Sequence, residues 1–506
     1  MGAGQYQARD LAIVSAVVAL ATSLTLVLVL AVTRLVDRSD RALPLGAALT
    51  MVLVAWFFYY EPAQRAAQEI AWRLSRDSVL VPLGLLATVG LLVWLFRQPR
   101  DRLVAGNAFM TRFGVLLLLF VVVQLAMSGG PALRARRSVL VRQLSEPLRV
   151  SSAFPAVRNQ PKRDIYLVVL DAHANSRVAR EEMNDDDTSF EDSLRTLGFT
   201  IPRAMHSNYV ETILSVPSLL NSSHLTQLAQ DAGVTTRSFA LPRYLVENNR
   251  TARFLRSRGY KYVLFPSMWW MQSQHSPIAD VEFDPRPEPT IENELRRTEL
   301  RQAVVNSTLL RFWRWNWLNP GHEFRTMEGL KRVPADPAPT FAFAHVLLPH
   351  PPYYLDASCH PVAHPITSDQ EDGSPAQRAA ALAQTRCVDR MVLDLVTTLL
   401  RDSPVPPVIV VVGDHGSRFS APKFAKHPDN LPTEFMRERF GAFGAFYLPA
   451  GGDSAFTGSV SLVNVMGNVL RYYFGVELAS SPDDMYVSGE FLYRFYQVDS
   501  TGYLGR

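Results

Sequence analysis

The sequence predicts an N-terminal α-helical membrane domain followed by an α/β domain with a mainly parallel central sheet. Three observations predict it. Long uncharged apolar runs fill the first 130 positions, whereas the remainder alternates polar and apolar residues like a soluble chain. Within that remainder, I-Y-L-V-V-L at Ile165 to Leu170 and P-V-I-V-V-V-G at Pro407 to Gly413 read as strands buried on both faces. Such runs are separated by helix-like stretches, for example Ala376 to Arg401, which is the alternation of a parallel α/β sheet. A length of 506 residues, 48% of them hydrophobic, leaves room for two or three domains.

Taken in order, Leu11 to Thr33 is an uncharged run of 23 residues. At about 1.5 Å per residue it crosses a hydrocarbon core of roughly 30 Å, and it is too long for the apolar part of a signal peptide. Leu43 to Tyr60, Val79 to Phe96 and Phe113 to Met127 follow, making about four spans. The second ends in W-F-F-Y-Y, an aromatic belt suited to a membrane interface. Arginines 34, 38 and 41 flank one turn and 97, 100, 102 and 112 another, which puts both short loops in the cytoplasm and both termini outside. Glu61 to Asp77 has the spacing of an amphipathic helix on the outer membrane surface. The domains are therefore 1–130 for the membrane, 131–162 for a Gly/Pro/Ser/Arg-rich linker and 163–506 for an extracytoplasmic domain. A net charge of +4 without a basic, aromatic-interleaved cluster excludes a nucleic-acid groove.

Further strands are expected at Lys261 to Phe265, Phe341 to Leu348 and Ala445 to Leu448. Three strand ends then carry chemistry. Asp171 follows Ile165–Leu170, His350 follows Phe341–Leu348, and Asp414-His415 follows the valine run. The carboxyl edge of an open α/β sheet is where its ligands bind, and a carboxylate beside an imidazole suits a zinc-like ion. Any one of these residues alone is more often a turn or cap; their convergence on one edge points to a metal site. A nucleophile is expected in S-N-Y-V-E-T-I-L-S-V-P-S-L-L-N, where Thr212, Ser215 and Ser218 are spaced at about one helical turn. A hydroxyl at a helix N-terminus faces orphan N–H groups that favour an anionic phosphoryl group.

The order I-Y-L-V-V-L-D, T-I-L-S-V-P-S, L-P-H-P-P-Y, V-V-G-D-H-G resembles the alkaline phosphatase superfamily, and within it the sulfatase-like membrane transferases. These include phosphoethanolamine transferases and lipoteichoic-acid synthases. The resemblance covers roughly residues 163–490. It implies that Thr212 is nucleophile and metal ligand, with Asp171, Asp414 and His415 completing the shell around a divalent metal, zinc or else manganese. It implies that His350 binds the transferred phosphate group, with His427 assisting. It further implies a multi-pass protein of the cell membrane that moves phosphoethanolamine or glycerol phosphate from a phospholipid donor to an envelope glycan or lipid acceptor. Asp171 stands where such transferases often have Glu. Ala172 follows it rather than a second Asp, which argues against a calcium shell.

The alternatives are a sulfatase or phosphodiester hydrolase, and after them a non-catalytic binding module. Ser215-Val-Pro-Ser218 resembles the motif converted to formylglycine in sulfatases, but Leu219 stands where that motif needs Arg. His173, His206, His224, His345, His360 and His364 are read as loop or packing residues. Trp269 and Trp270 are read as core, whereas Trp313, Trp315 and Trp317, alternating with Arg314 and Asn316, suggest a face touching lipid headgroups. Cys359 and Cys387 are the two cysteines of the chain, and an oxidising compartment would join them.

Overall fold

The computed structural model describes residues 8–70, 77–128, 137–152, 161–236, 238–267, 275–283, 304–305, 308, 310, 321–366, 373–419, 431–456, 458–488 and 491–498. The chain divides into two units, one of residues 3–130 with 287–317 and the other of residues 131–286 with 318–506. His427, Trp269, Trp270, Trp313, Trp315 and Trp317 lie outside the described residues.

The first unit is built from helices α1 (Ala8–Val36), α2 (Ala42–Ile70), α3 (Asp77–Phe96) and α4 (Arg100–Ser128). Three described helical segments are long and apolar enough to cross a membrane: Ala12–Val36, Ser78–Phe96 and Arg100–Phe120. The apolar part of α2, Ala42–Phe58, is shorter. Residues 61–70, expected as a separate surface helix, instead continue α2 with Pro62 inside it. Gly46 lets α1 come close, since a Cβ there would press on the side chains of Leu30 and Thr33. The buried cluster of this unit is small, Leu45, Leu95 and Leu103, while many leucines and valines of α1, α3 and α4 are exposed. That inversion of inside and outside is what a lipid-facing helix requires.

The second unit holds a six-stranded sheet. Its strands are β1 (Ile165–Leu170), β2 (Lys261–Phe265), β3 (Val281–Glu282), β4 (Thr340–Val346), β5 (Val408–Gly413) and β6 (Gly444–Tyr447), in the order β3-β2-β4-β1-β5-β6. All neighbours are parallel except β5 and β6. Every residue of β1 and β5 is buried. Strand residues alternate between faces, so a run apolar at each position must be covered twice. On one side Ile165, Leu167 and Val169 pack with α5 (Thr212–Asn221) and α9 (Val465–Phe474). On the other, Tyr166, Val168 and Leu170 pack with α6 (Gly321–Leu330) and α7 (Pro375–Asp402).

Strand β6 is the expected Ala445–Leu448 strand shifted by one residue, and it runs antiparallel, reached from β5 through α8 (Thr433–Phe440). Apolar pattern marks a strand without encoding its direction, which the connection decides.

Candidate active site

The register of β1 against β5 sets Leu170 opposite Gly413, so the next residues, Asp171 and Asp414, leave the sheet side by side. The strand end is crowded. A Cβ on Gly416 would press on the carbonyl of Glu438, which is why glycine follows Asp414-His415. Ala172 takes a left-handed conformation, φ 61°, and its N–H donates to Asp414 Oδ1 at 3.0 Å. The same oxygen accepts from the backbone N–H of His415 at 2.9 Å.

The remaining oxygens are the informative ones. Asp171 Oδ1 and Asp414 Oδ2 are buried and have no hydrogen-bond partner among the described residues. One ligand atom from each of Asp171, Asp414 and His415 lies within 4.8 Å of the others. Burial pushes both carboxyls up to about 8, and the charge of Asp171 adds to the rise at Asp414. Two buried carboxylates with orphan oxygens facing an imidazole nitrogen fit a small divalent cation, which would satisfy all three.

His415 is held for that purpose. Its Nδ1 lies 2.9 Å from the carbonyl of Gly416, and Arg439 Nη1 donates to the same carbonyl at 2.9 Å. Arg439 Nη1 also lies 3.0 Å from Nδ1; in the tautomer whose Nδ1–H donates to Gly416, the Nε2 lone pair faces the carboxylates, 3.4 Å from Asp414 Oδ2 and 3.7 Å from Asp171 Oδ1. Burial, with the Arg439 charge beside it, holds the imidazole well below its usual range and hence neutral, the form that binds metals.

Thr212 is the first residue of α5 and is 3% exposed. Its Oγ1 lies 3.0 Å from His415 Nε2. Ser215 and Ser218 are otherwise engaged. Ser215 Oγ donates to the carbonyl of Asp414 at 2.5 Å, which ties α5 to the strand end, and Ser218 Oγ donates to the carbonyl of Ser215 at 2.7 Å. Of the three hydroxyls, Thr212 is the one beside the carboxylate and imidazole cluster. A cavity opens over it, lined among others by Glu211, Thr212, His350, His415, Arg418 and Arg439. His350 thus shares the cavity with Thr212, and its backbone N–H donates to the carbonyl of Asp171 at 3.0 Å.

Cys359 and Cys387 are joined in a disulfide, 28 residues apart in sequence. His206 and His173 pair with Asp483 and Asp389.

Two residues escaped the reading of the sequence. His345, taken there as packing, is 3% exposed and places Nε2 3.6 Å from Asp171 Oδ2. The signal was available: His345 follows Phe341 and Phe343 at two-residue spacing on the face of β4 that also carries the Asp171 side of β1. Arg439, buried, donates through Nη2 to the carbonyl of Val210 and through Nη1 to that of Gly416, clamping the start of α5 to the end of β5. Nothing in the R-E-R-F stretch marks it.

No protein-family model matches the sequence, and no curated protein matches it. Solved structures do. The chain is similar to the zinc complex of the C-terminal periplasmic domain of EcEptC from Escherichia coli, with a TM-score of 0.46 and 13% identity over 71% of this chain and 99% of that one. It is also similar to the lipoteichoic acid synthase LtaP from Listeria monocytogenes, with a TM-score of 0.40 and 13% identity over 72% of this chain and 93% of that one. For the C-terminal periplasmic domain of the phosphoethanolamine transferase EptC from Campylobacter jejuni the TM-score is 0.38, with 12% identity over 64% and 92% of the two chains.

Proposed function

We propose that this protein is a membrane-anchored, metal-dependent transferase that moves a phosphoryl-linked headgroup from a phospholipid to an envelope acceptor by way of a phosphothreonine at Thr212. The observation that carries the reading is the placement of Thr212 Oγ1, 3.0 Å from His415 Nε2, at the head of a helix and against two buried carboxylates with orphan oxygens. The apolar helices of the first unit supply the anchor, and the motif order from Asp171 to His415 supplies the resemblance to the sulfatase-like membrane transferases.

Asp171, Asp414, His415 and Thr212 would hold the ion, zinc or manganese by the mixture of carboxylate and imidazole donors. When bound, such an ion supplies positive charge that favours an ionised hydroxyl and neutralises phosphoryl oxygens. The chain's own residues do the rest. Thr212 Oγ1, its proton released to solvent, attacks phosphorus, and the bond from phosphorus to the diacylglycerol oxygen breaks. His350, across the cavity, orients the transferred group and protonates the departing oxygen. The positive N-terminal end of α5 points at the same group, adding attraction for its negative charge. An acceptor hydroxyl then attacks the phosphothreonine, giving its proton to the now neutral His350, and the bond from phosphorus to Thr212 Oγ1 breaks as that oxygen takes a proton from solvent.

The test is to incubate the purified full-length protein with zinc or manganese and bilayers holding phosphatidylethanolamine or phosphatidylglycerol. Peptide mass spectrometry should find the headgroup phosphate on Thr212, with diacylglycerol released. Diacylglycerol release without any adduct at Thr212 in a rapid quench would point to direct hydrolysis, and no release from either lipid would overturn the reading.

A further inference from the structure

The loop that carries His350 is poor in hydrogen-bond donors of its own. Pro349, Pro351 and Pro352 have no N–H, so the loop's carbonyls depend on donors from elsewhere. One side chain supplies them. Gln384, on α7 and 0% exposed, donates from Nε2 to the carbonyls of Pro349, His350 and Pro352 at 3.1, 3.2 and 3.3 Å. Its Oε1 accepts from the backbone N–H groups of Tyr354 and Leu355 at 2.9 and 3.2 Å. Two N–H groups thus serve three carbonyls, one of them shared, and both lone pairs of Oε1 are used. Three residues further along α7, Cys387 is bridged to Cys359 just past the loop, so one helix grips this segment at two places.

His350 is consequently held through both of its backbone groups. Its N–H donates to the carbonyl of Asp171, and its C=O accepts from Gln384. Its imidazole Nδ1 is 2.5 Å from the carbonyl of Pro351, so the ring's direction follows the path of the loop. An apolar residue of similar length would fill the same volume; only the five polar contacts call for an amide there.

We propose that Gln384 is a positioning residue of the active site: it sets the imidazole of His350 relative to Thr212, and turnover depends on it through His350. The proposal rests on the reading above, in which His350 handles the transferred phosphoryl group. A displacement of about 1 Å at such a group lowers the rate by up to about 100-fold.

A double-mutant cycle tests it on the zinc-loaded full-length protein in detergent, with bis(4-nitrophenyl) phosphate as soluble probe. Gln384→Met removes all five contacts, and Gln384→Glu keeps the acceptor while losing the donors to the three carbonyls. Each should lower kcat/KM by about 10- to 100-fold with zinc affinity unchanged, and neither should add more than about twofold to the loss caused by His350→Ala. Additive losses overturn the proposal, because Gln384 would then act on the fold as a whole. Wild-type kcat/KM in both Gln384 variants overturns it too, as does a fully active His350→Ala protein beside a defective Gln384→Glu one. If Gln384→Met does not fold, Gln384→Glu closes the same cycle. The cycle is also read on orthovanadate affinity by calorimetry, which needs no turnover. Non-additive vanadate binding in a protein that cleaves no phosphodiester would uphold Gln384 and count against the phosphotransferase reading instead.

Discussion

Replacing Asp171 with Asn should make the metal-free protein more stable while taking away its ion. Oxygens of Asp171 and Asp414 lie within 4.8 Å of one another. Two unit charges at that spacing repel by about 3.5 kcal/mol at an effective dielectric of about 20. The native state avoids part of this by staying protonated, since burial pushes both carboxyls up to about 8, far above the usual carboxylate range. The sign follows from proton counting. Between about pH 4 and pH 8 the native state binds more protons than the unfolded chain, so stability of the metal-free protein falls as pH rises through that window. Asn at 171 removes one of the two titrations and the repulsion, so its advantage grows from about pH 5 to pH 8 and levels off above. The assay is thermal unfolding in chelator at about pH 5, 7 and 9, repeated with zinc. At pH 9 the variant should melt several degrees above wild type without zinc, by up to about 3 kcal/mol of stability. Added zinc should raise wild type and leave the variant unmoved, because binding to the native state alone stabilises it. A variant that melts lower than wild type at pH 9, or that zinc stabilises equally, would refute the electrostatic account of the site.

Three further outcomes are expected. Thr212→Ala should lower turnover at least about 1,000-fold with the fold intact, read by phosphodiesterase assay and circular dichroism; full activity there with an inactive Ser215→Ala would return the sulfatase reading. Alkylation of unreduced protein should label neither Cys359 nor Cys387, and opening the bridge by Cys387→Ala should lower stability by about 3 kcal/mol, as loop closure on this scale predicts; two labelled thiols would contradict an oxidising compartment. Changing Trp313, Trp315 and Trp317 together to Ser should sharply reduce turnover of a bilayer-embedded donor and spare a soluble phosphodiester, and equal loss on both would make these tryptophans core residues.

What the sequence determined by itself lies within a few residues of each position. Ile165–Leu170 and the valine run are apolar at every place, and only a strand covered on both faces uses such a run, so the sheet and its parallel character were legible. Because Asp171 and Asp414-His415 follow those strands directly, and His350 comes four residues after β4, so was the edge on which they lie. The three-residue spacing of Thr212, Ser215 and Ser218 marked a helix, and α5 starts at Thr212. The tertiary structure decided which hydroxyl faces the carboxylates, since Ser215 has the same helical signature but turns to the carbonyl of Asp414. It decided the direction of β6, the continuation of α2 through residue 70, and the arrival of His345, Gln384 and Arg439 around a site whose motifs do not contain them. The reason is one of range. Periodicity and capping express contacts between near neighbours, whereas the meeting of Ala172 with Asp414, 242 residues apart, exists only once β1 and β5 pair in register.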